Sequence, residues 1–235
     1  MKLLAIESSG LVASVAIATE DVLLAEYTVN FKKTHSQTLL PMIEEIVQML
    51  GMELQELDAI AVSEGPGSFT GLRIGSATAK GLALVLKKPI IPVPTTQGIA
   101  ANVYGSEGIL CPLMDAKRNQ VYTGLYRYNK EGFQVVEDQM AVSIEEIIEK
   151  VNSFHEPVTY LGDGVEVFSA VLKEKTTVPF SFAPMHCSKQ RAGALAVRAV
   201  KLYQEGKTQT AAEHEPNYLR LSQAERELKE KTTTV

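Results

Sequence analysis

Gly65-Pro66-Gly67-Ser68-Phe69-Thr70-Gly71-Leu72-Arg73-Ile74-Gly75 sits between an apolar run, Ala59 to Val62, and a run of small and apolar residues, Ile74 to Leu86. The first run reads as a buried strand and the second as a helix. Glycines and a proline between them describe a tight, shaped loop, because glycine permits positive φ and close backbone approach. The loop also feeds a helix N-terminus, where free N–H groups and the dipole favour an anion or a polar partner. Two readings stay open here: a phosphate- or partner-docking loop, and a turn that is simply tight. No Lys-Ser/Thr follows the glycines and their spacing is not Gly-x-Gly-x-x-Gly, so neither full nucleotide-loop pattern is present.

Upstream of the loop, Leu3 to Ile6, Val12 to Ala18 and Val22 to Val29 read as three short strands. Ser8-Ser9-Gly10 and Glu20-Asp21 separate them, as in a β-meander. The spacing of Leu39, Ile43, Ile46, Val47 and Leu50 predicts a helix over Ser36 to Leu50, stopped by Gly51. Downstream, Ile90 to Val93 reads as another strand. Three strands followed by alternating helix and strand predict a mixed α/β sheet with helices on its faces.

The second half repeats that grammar. Ile109 to Met114, Val121 to Tyr128 and Phe133 to Val136 read as strands. Ser143 with Glu146 forms a capping-box signature for a helix. Val158 to Leu161 is a strand, Gly162-Asp163-Gly164 a turn, and Val165 to Leu172 and Ala192 to Glu205 are helices. The expected division is a first lobe over 1–104, a smaller second lobe over 105–221 and a charged tail over 222–235. The repeat is one of topology, not of visible sequence.

Composition sets limits on function. The 235 residues are 45% hydrophobic with a formal net charge of −5, enough for one large domain or two modest lobes. No basic stripe supports tight direct nucleic-acid binding. No uncharged apolar stretch reaches the ~18 residues that suggest a membrane span. The N-terminus meets Glu7 too early for a signal-peptide core. Two cysteines, Cys111 and Cys187, make no disulfide framework, so cytoplasm is the expected compartment. His186 beside Cys187 lacks a second ligand pair and reads as incidental. Gly-x-Ser-x-Gly and His-Glu-x-x-His are absent. Glu44-Glu45 and Glu145-Glu146 read as solvated helix faces.

The helix after the glycine loop carries Gly75, Ser76, Ala77, Thr78, Ala79, Gly81 and Ala83. Interior glycines cost about 1 kcal/mol each against alanine, so a second backbone is expected to come close. Packing on the parent sheet accounts for one face. The small residues run all round, so the other face is expected to dock a second helix.

Several motifs together carry a resemblance. Ala5-Ile6-Glu7-Ser8-Ser9 resembles the opening of the actin, hexokinase and Hsp70 ATPase superfamily. The glycine-loop stretch, His35-Ser36-Gln37, Leu113-Met114-Asp115-Ala116-Lys117, Gln120-Val121-Tyr122 and Pro216-Asn217-Tyr218-Leu219-Arg220 resemble, in order, motifs of the TsaB family of bacterial tRNA threonylcarbamoyladenosine synthesis. The resemblance implies a two-lobed actin-like (RNase H-like) fold and a non-catalytic role. Its implied partners are TsaD, which transfers threonylcarbamoyl from its adenylate to adenosine N6, and the ATPase TsaE. A homodimer is the alternative pairing, and contact with tRNA would be indirect, through the complex. ATP and metal are expected on the partners, with no cofactor in the isolated chain. The TsaD-type metal pair His-x-x-x-His matches Thr95 and Ile99 here, and isoleucine cannot ligate a metal. Partner pairing is implied for His35, Leu39, Leu40, Leu72, Arg73, Gly75, Ser76 and Ala79. Glu7, Ser8 and Ser9, with Gly162, Asp163 and Gly164, would form a vestigial nucleotide loop, with structural turns the preferred reading. The alternative function is an autonomous nucleotide-binding ATPase or peptidase-like enzyme.

Overall fold

The computed structural model describes residues 1–31 and 34–220, so the expected tail over 222–235 lies outside the described residues. The first lobe is built on β1 (Lys2–Glu7), β2 (Ala13–Thr19), β3 (Leu23–Val29), β4 (Ala59–Gly65) and β5 (Ile90–Pro94), in the order β3-β2-β1-β4-β5. β1, β2 and β3 pair antiparallel, and β4 and β5 continue the sheet parallel to β1. Helices α1 (His35–Leu50) and α2 (Phe69–Leu86) connect β3 to β4 and β4 to β5. The second lobe contains β6 (Ile109–Asp115), β7 (Gln120–Asn129), β8 (Gly132–Ser143), α4 (Ile144–Ser153), β9 (Val158–Leu161), α5 (Gly164–Lys175) and β10 (Phe180–Phe182), after α3 (Thr95–Ala100). Its sheet order, β10-β9-β6-β7-β8, is the first order read from the other edge. The expected topological repeat is therefore present: each lobe runs βββαβαβ.

Strand alternation decides which helix goes where. In the first sheet Leu4, Ile6, Val15, Ile17, Ile60 and Val62 face α1 and α2. The intervening Ala5, Ala16, Ala18, Ala59 and Ala61 face the last helix, α6 (Ala192–Gln204). Alanines on that face let α6 lie close to the sheet. Residues 192–204, inside the expected second lobe, thus pack on the first sheet, whose alanine face would otherwise be left in water. The N-terminus of α6 is completed by the first sheet as well. Ala192 N–H donates to Ser14 Oγ at 3.0 Å and Gly193 N–H to Glu26 Oε1 at 2.9 Å, meeting donors that the helix itself leaves unpaired.

The second sheet packs α4 and α5 on one face. Its other face meets α3, through Ile99 and Ala100, and Val103 just after it, so α3 is the hinge between lobes. Ser143 caps α4 by accepting from Glu146 N–H at 3.1 Å, as its sequence predicts. α2 begins at Phe69, ahead of the expected Ile74, because Ser68 Oγ accepts from Gly71 N–H at 3.2 Å and so acts as N-cap. Among the described residues no helix is long and apolar enough to cross a membrane.

Candidate functional site: the interlobe cleft and the faces of the second helix

The loops after β1, β4, β6 and β9 meet at a cleft of about 580 Å³ between the lobes. Its walls include Ser9, His35, Ser68 and Phe69 from the first lobe, and Asp115, Lys117 and Asp163 from the second. Tyr218 and Arg220 close its mouth. The structure thus brings Ser9 and Asp163, from the two halves of the expected vestigial nucleotide loop, to one place.

The first-lobe loop is satisfied from within the chain. Glu7 is buried and does not line the cleft. Its Oε1 accepts from Ser9 N–H at 2.7 Å and from Ser63 Oγ–H at 3.2 Å. Burial pushes the Glu7 carboxyl above the usual carboxylate range, against the lowering effect of those hydrogen bonds. Ser8 Oγ donates to Gly71 O at 2.9 Å, and Ser68 N–H donates to Ser9 O at 2.6 Å. The glycine loop therefore spends these groups on the β1–β2 loop. His35 Nε2–H donates to Gly10 O at 2.8 Å, which ties the start of α1 to that same loop. On the opposite wall, burial raises the Asp163 pKa and Asp115 adds to it, while Lys189 and Lys117 oppose it. Asp163 Oδ1 has no hydrogen-bond partner among the described residues. Gly162 and Gly164 press against Leu113 O, so a side chain on either would collide with the end of β6.

Among the described residues no three His, Cys, Asp or Glu side chains gather to hold a metal ion. Thr95 and Ile99 are buried in α3. Neighbouring Thr96 and Gln97 wire the hinge. Thr96 Oγ1 lies 2.7 Å from Tyr126 Oη, and Arg198 Nη2–H donates to Gln97 Oε1 at 3.0 Å.

The expected partner residues divide by burial. Leu39, Leu72, Gly75, Ser76 and Ala79 are buried within the monomer. These five therefore face the chain's own core in the monomer. The small residues on this side of α2 let it seat against β1 and β4. A Cβ at Gly71 would overlap Ser8 O, and one at Gly75 would overlap Ser8 Oγ. Leu40 is 56% exposed and Arg73 is exposed, its guanidinium 4.1 Å from the Phe69 ring centroid.

The exposed side of the helix pair is apolar and grooved. Two adjoining hollows of about 630 and 670 Å³ share Leu40, Val47, Glu53, Leu54 and Leu82. Ala77, Gly81 and Val85 are among the residues that line only the second hollow, and Val85 is 79% exposed. A Cβ at Gly81 would meet nothing within 4 Å among the described residues. Sequence reasoning singled out Leu40 but missed Val47, Leu54, Leu82 and Val85 as groove residues. Their i, i+3, i+4 spacing with the core residues was the available signal, and it does not say which stripe faces inward.

The family model described as TsaD, tRNA N6-adenosine threonylcarbamoyltransferase, matches residues 23–228. The tRNA threonylcarbamoyladenosine biosynthesis protein TsaB of Bacillus subtilis is 35% identical over 230 residues, 96% of each chain. Its Escherichia coli namesake is 30% identical over 223 residues, covering 94% of this chain and 95% of that one. The solved structure of YeaZ from Pseudomonas aeruginosa shares the fold, with a TM-score of 0.80 at 24% identity over 93% of this chain and 99% of that one. With matched length, matched fold and this level of identity, the chain belongs to the TsaB/YeaZ family of tRNA threonylcarbamoyladenosine biosynthesis proteins.

Proposed function

We propose that this chain serves tRNA N6-threonylcarbamoyladenosine formation as a non-catalytic subunit, docking on and activating a TsaD-type transferase that works together with TsaE. The observation that carries the reading is Gly81. A helix-interior glycine costs about 1 kcal/mol against alanine, and among the described residues nothing outside its own helix turn approaches it. It stands in an apolar groove between α1 and α2 that a partner helix can enter. Close approach of a second backbone supplies the reason for a glycine there that the monomer does not.

The cleft supports the non-catalytic part of the reading. The carboxylate at the superfamily's phosphate-loop position, Glu7, is turned into the core and held by Ser9 and Ser63. A phosphate approaching the glycine loop would have to displace Ser9 O from Ser68 N–H. The same groove would serve a second copy of this chain, in competition with the transferase.

Reconstitution tests the proposal. Threonylcarbamoyl transfer to tRNA should require this chain when TsaD, TsaE, threonylcarbamoyl adenylate and ATP are all supplied. Undiminished transfer without it would refute the activator role. Calorimetric titration of the chain alone with ATP and magnesium should give no saturable heat; turnover or tight binding there would favour an autonomous ATPase.

A further inference from the structure

The C-terminal segment from Gln209 to Arg220 runs back along α2 and then crosses the cleft. Gln209 exchanges two backbone hydrogen bonds with Ile90 at the edge of β5, both 2.8 Å. Lys80, midway along α2, donates from Nζ to His214 O at 2.8 Å. Asn217 N–H donates to Glu64 O at 2.6 Å, at the end of β4. The Tyr218 ring packs on Phe69, the first residue of α2, with centroids 4.8 Å apart. Arg220 then reaches the second lobe, where Nη1–H donates to Ala116 O at 2.7 Å.

The far end of this belt lands on a strained turn. Lys117, Arg118 and Asn119 have φ of 63°, 57° and 59°. Left-handed backbone costs about 1–2 kcal/mol per non-glycine residue, so surrounding contacts must hold it. Arg220 on Ala116 O is one such contact. Lys117 N–H donates to Asp115 Oδ1 at 2.8 Å, and Asn119 Nδ2 donates to Glu145 at 2.9 and 3.0 Å.

The two ends of the cleft differ in kind. The hinge end is buried and bonded through Thr96, Tyr126, Gln97 and Arg198, and the Arg198 guanidinium lies 4.2 Å from the Phe133 ring centroid. The mouth is closed by half-exposed groups. We infer that Arg220 is a releasable clasp between the lobes. Through Tyr218 and Phe69 it couples the exposed N-terminal turn of α2, at Arg73, to the β6–β7 turn on the opposite wall. This goes beyond the docking proposal and holds whether or not a partner uses the groove.

Hydrogen exchange on the full chain, followed in peptides covering residues 113–122, tests the coupling without any partner. Arg220→Ala should speed exchange there about tenfold. Arg73→Ala should speed the same peptides about two- to fivefold, the range of an exposed cation–π contact. The double variant should match Arg220→Ala alone, because the second change acts through the first. Tyr218→Leu, which keeps an apolar contact but removes the ring, should abolish the Arg73 effect. Peptides covering the hinge, residues 96–100, should not change in any variant. Unaltered exchange at 113–122 in Arg220→Ala would overturn the clasp. Independent, multiplying effects of Arg73 and Arg220 would overturn the coupling, as would acceleration at the hinge of the same size as at the turn.

Discussion

Gly75 and Gly81 lie on the same helix, α2, and their surroundings are opposite. Gly75 is pressed against Ser8 Oγ, and its missing side chain is what lets the helix reach the β1–β2 loop. Gly81 faces open space beside Leu82 and Val85. One face of the helix is small because its own sheet demands it. The other is small with no internal demand. Identical residue types thus report two different constraints, and only the exposed one is available to a second molecule.

Exchanging the demands on the two faces breaks that comparison most sharply. Gly81→Arg should abolish co-purification with a TsaD-type partner while leaving the circular dichroism spectrum of the monomer unchanged; retained pairing would remove the groove from the interface. Next in size, Gly71→Ala and Gly75→Ala should each cost about 1–3 kcal/mol, the usual penalty of overpacking. At this chain length each kcal/mol lowers the thermal midpoint by roughly 2–4 °C. Their folded fraction should still pair. A neutral outcome in calorimetry would mean that the inner face is looser than its contacts indicate.

Beneath the inner face, Glu7 supplies a pH-dependent version of the same test. Burial raises its pKa above the ordinary 4.5, so the folded chain binds this proton more tightly than the unfolded chain. Its favourable contribution is complete below the unfolded pKa and is lost as pH climbs through the higher folded value. Glu7→Gln, which keeps an acceptor for Ser9 and Ser63, should remove that loss. Urea midpoints of the variant and parent should therefore shift in the variant's favour between pH 4 and pH 8, and a parallel pair of pH profiles would refute the assignment. The smallest effect belongs to the outer face again. Gly81→Ala should stabilise the isolated chain by about 0.5–1 kcal/mol, since alanine gains helix propensity and meets no neighbour among the described residues.

Much of this architecture was legible before the structure. The three opening strands, α1 with its Gly51 stop, the Ser143 cap and the second lobe's order up to α5 all follow from local period and turn chemistry. The elements that escaped share a physical trait. Every residue of α3 from Thr95 to Ala100 is buried, so no polar face marks it as a helix. β10 is three residues long and borders the sheet, and β8 extends to Ser143 with little full burial, so neither shows a clean alternation. The cleft was legible in its pieces, Ser9, Asp163 and the Tyr218–Arg220 motif, while Lys117 and Ala116 entered only as members of a motif. The Arg220 bond to Ala116 O joins positions more than a hundred residues apart, a relation that no local pattern carries.

Local chemistry alone determined most of the strand and helix order, short of α3 and β10, with the tight glycine loop and the incapacity of Ile99 to bind metal, since backbone conformation and ligand type belong to residues one at a time. Tertiary packing decided which stripe of α2 turns inward, that Glu7 is spent inside the chain, and that α6 and the segment after it return to the first lobe. Those outcomes depend on what each side chain finds opposite it: an alanine face that only a late helix can cover, and a serine hydroxyl that leaves no room beside Gly75.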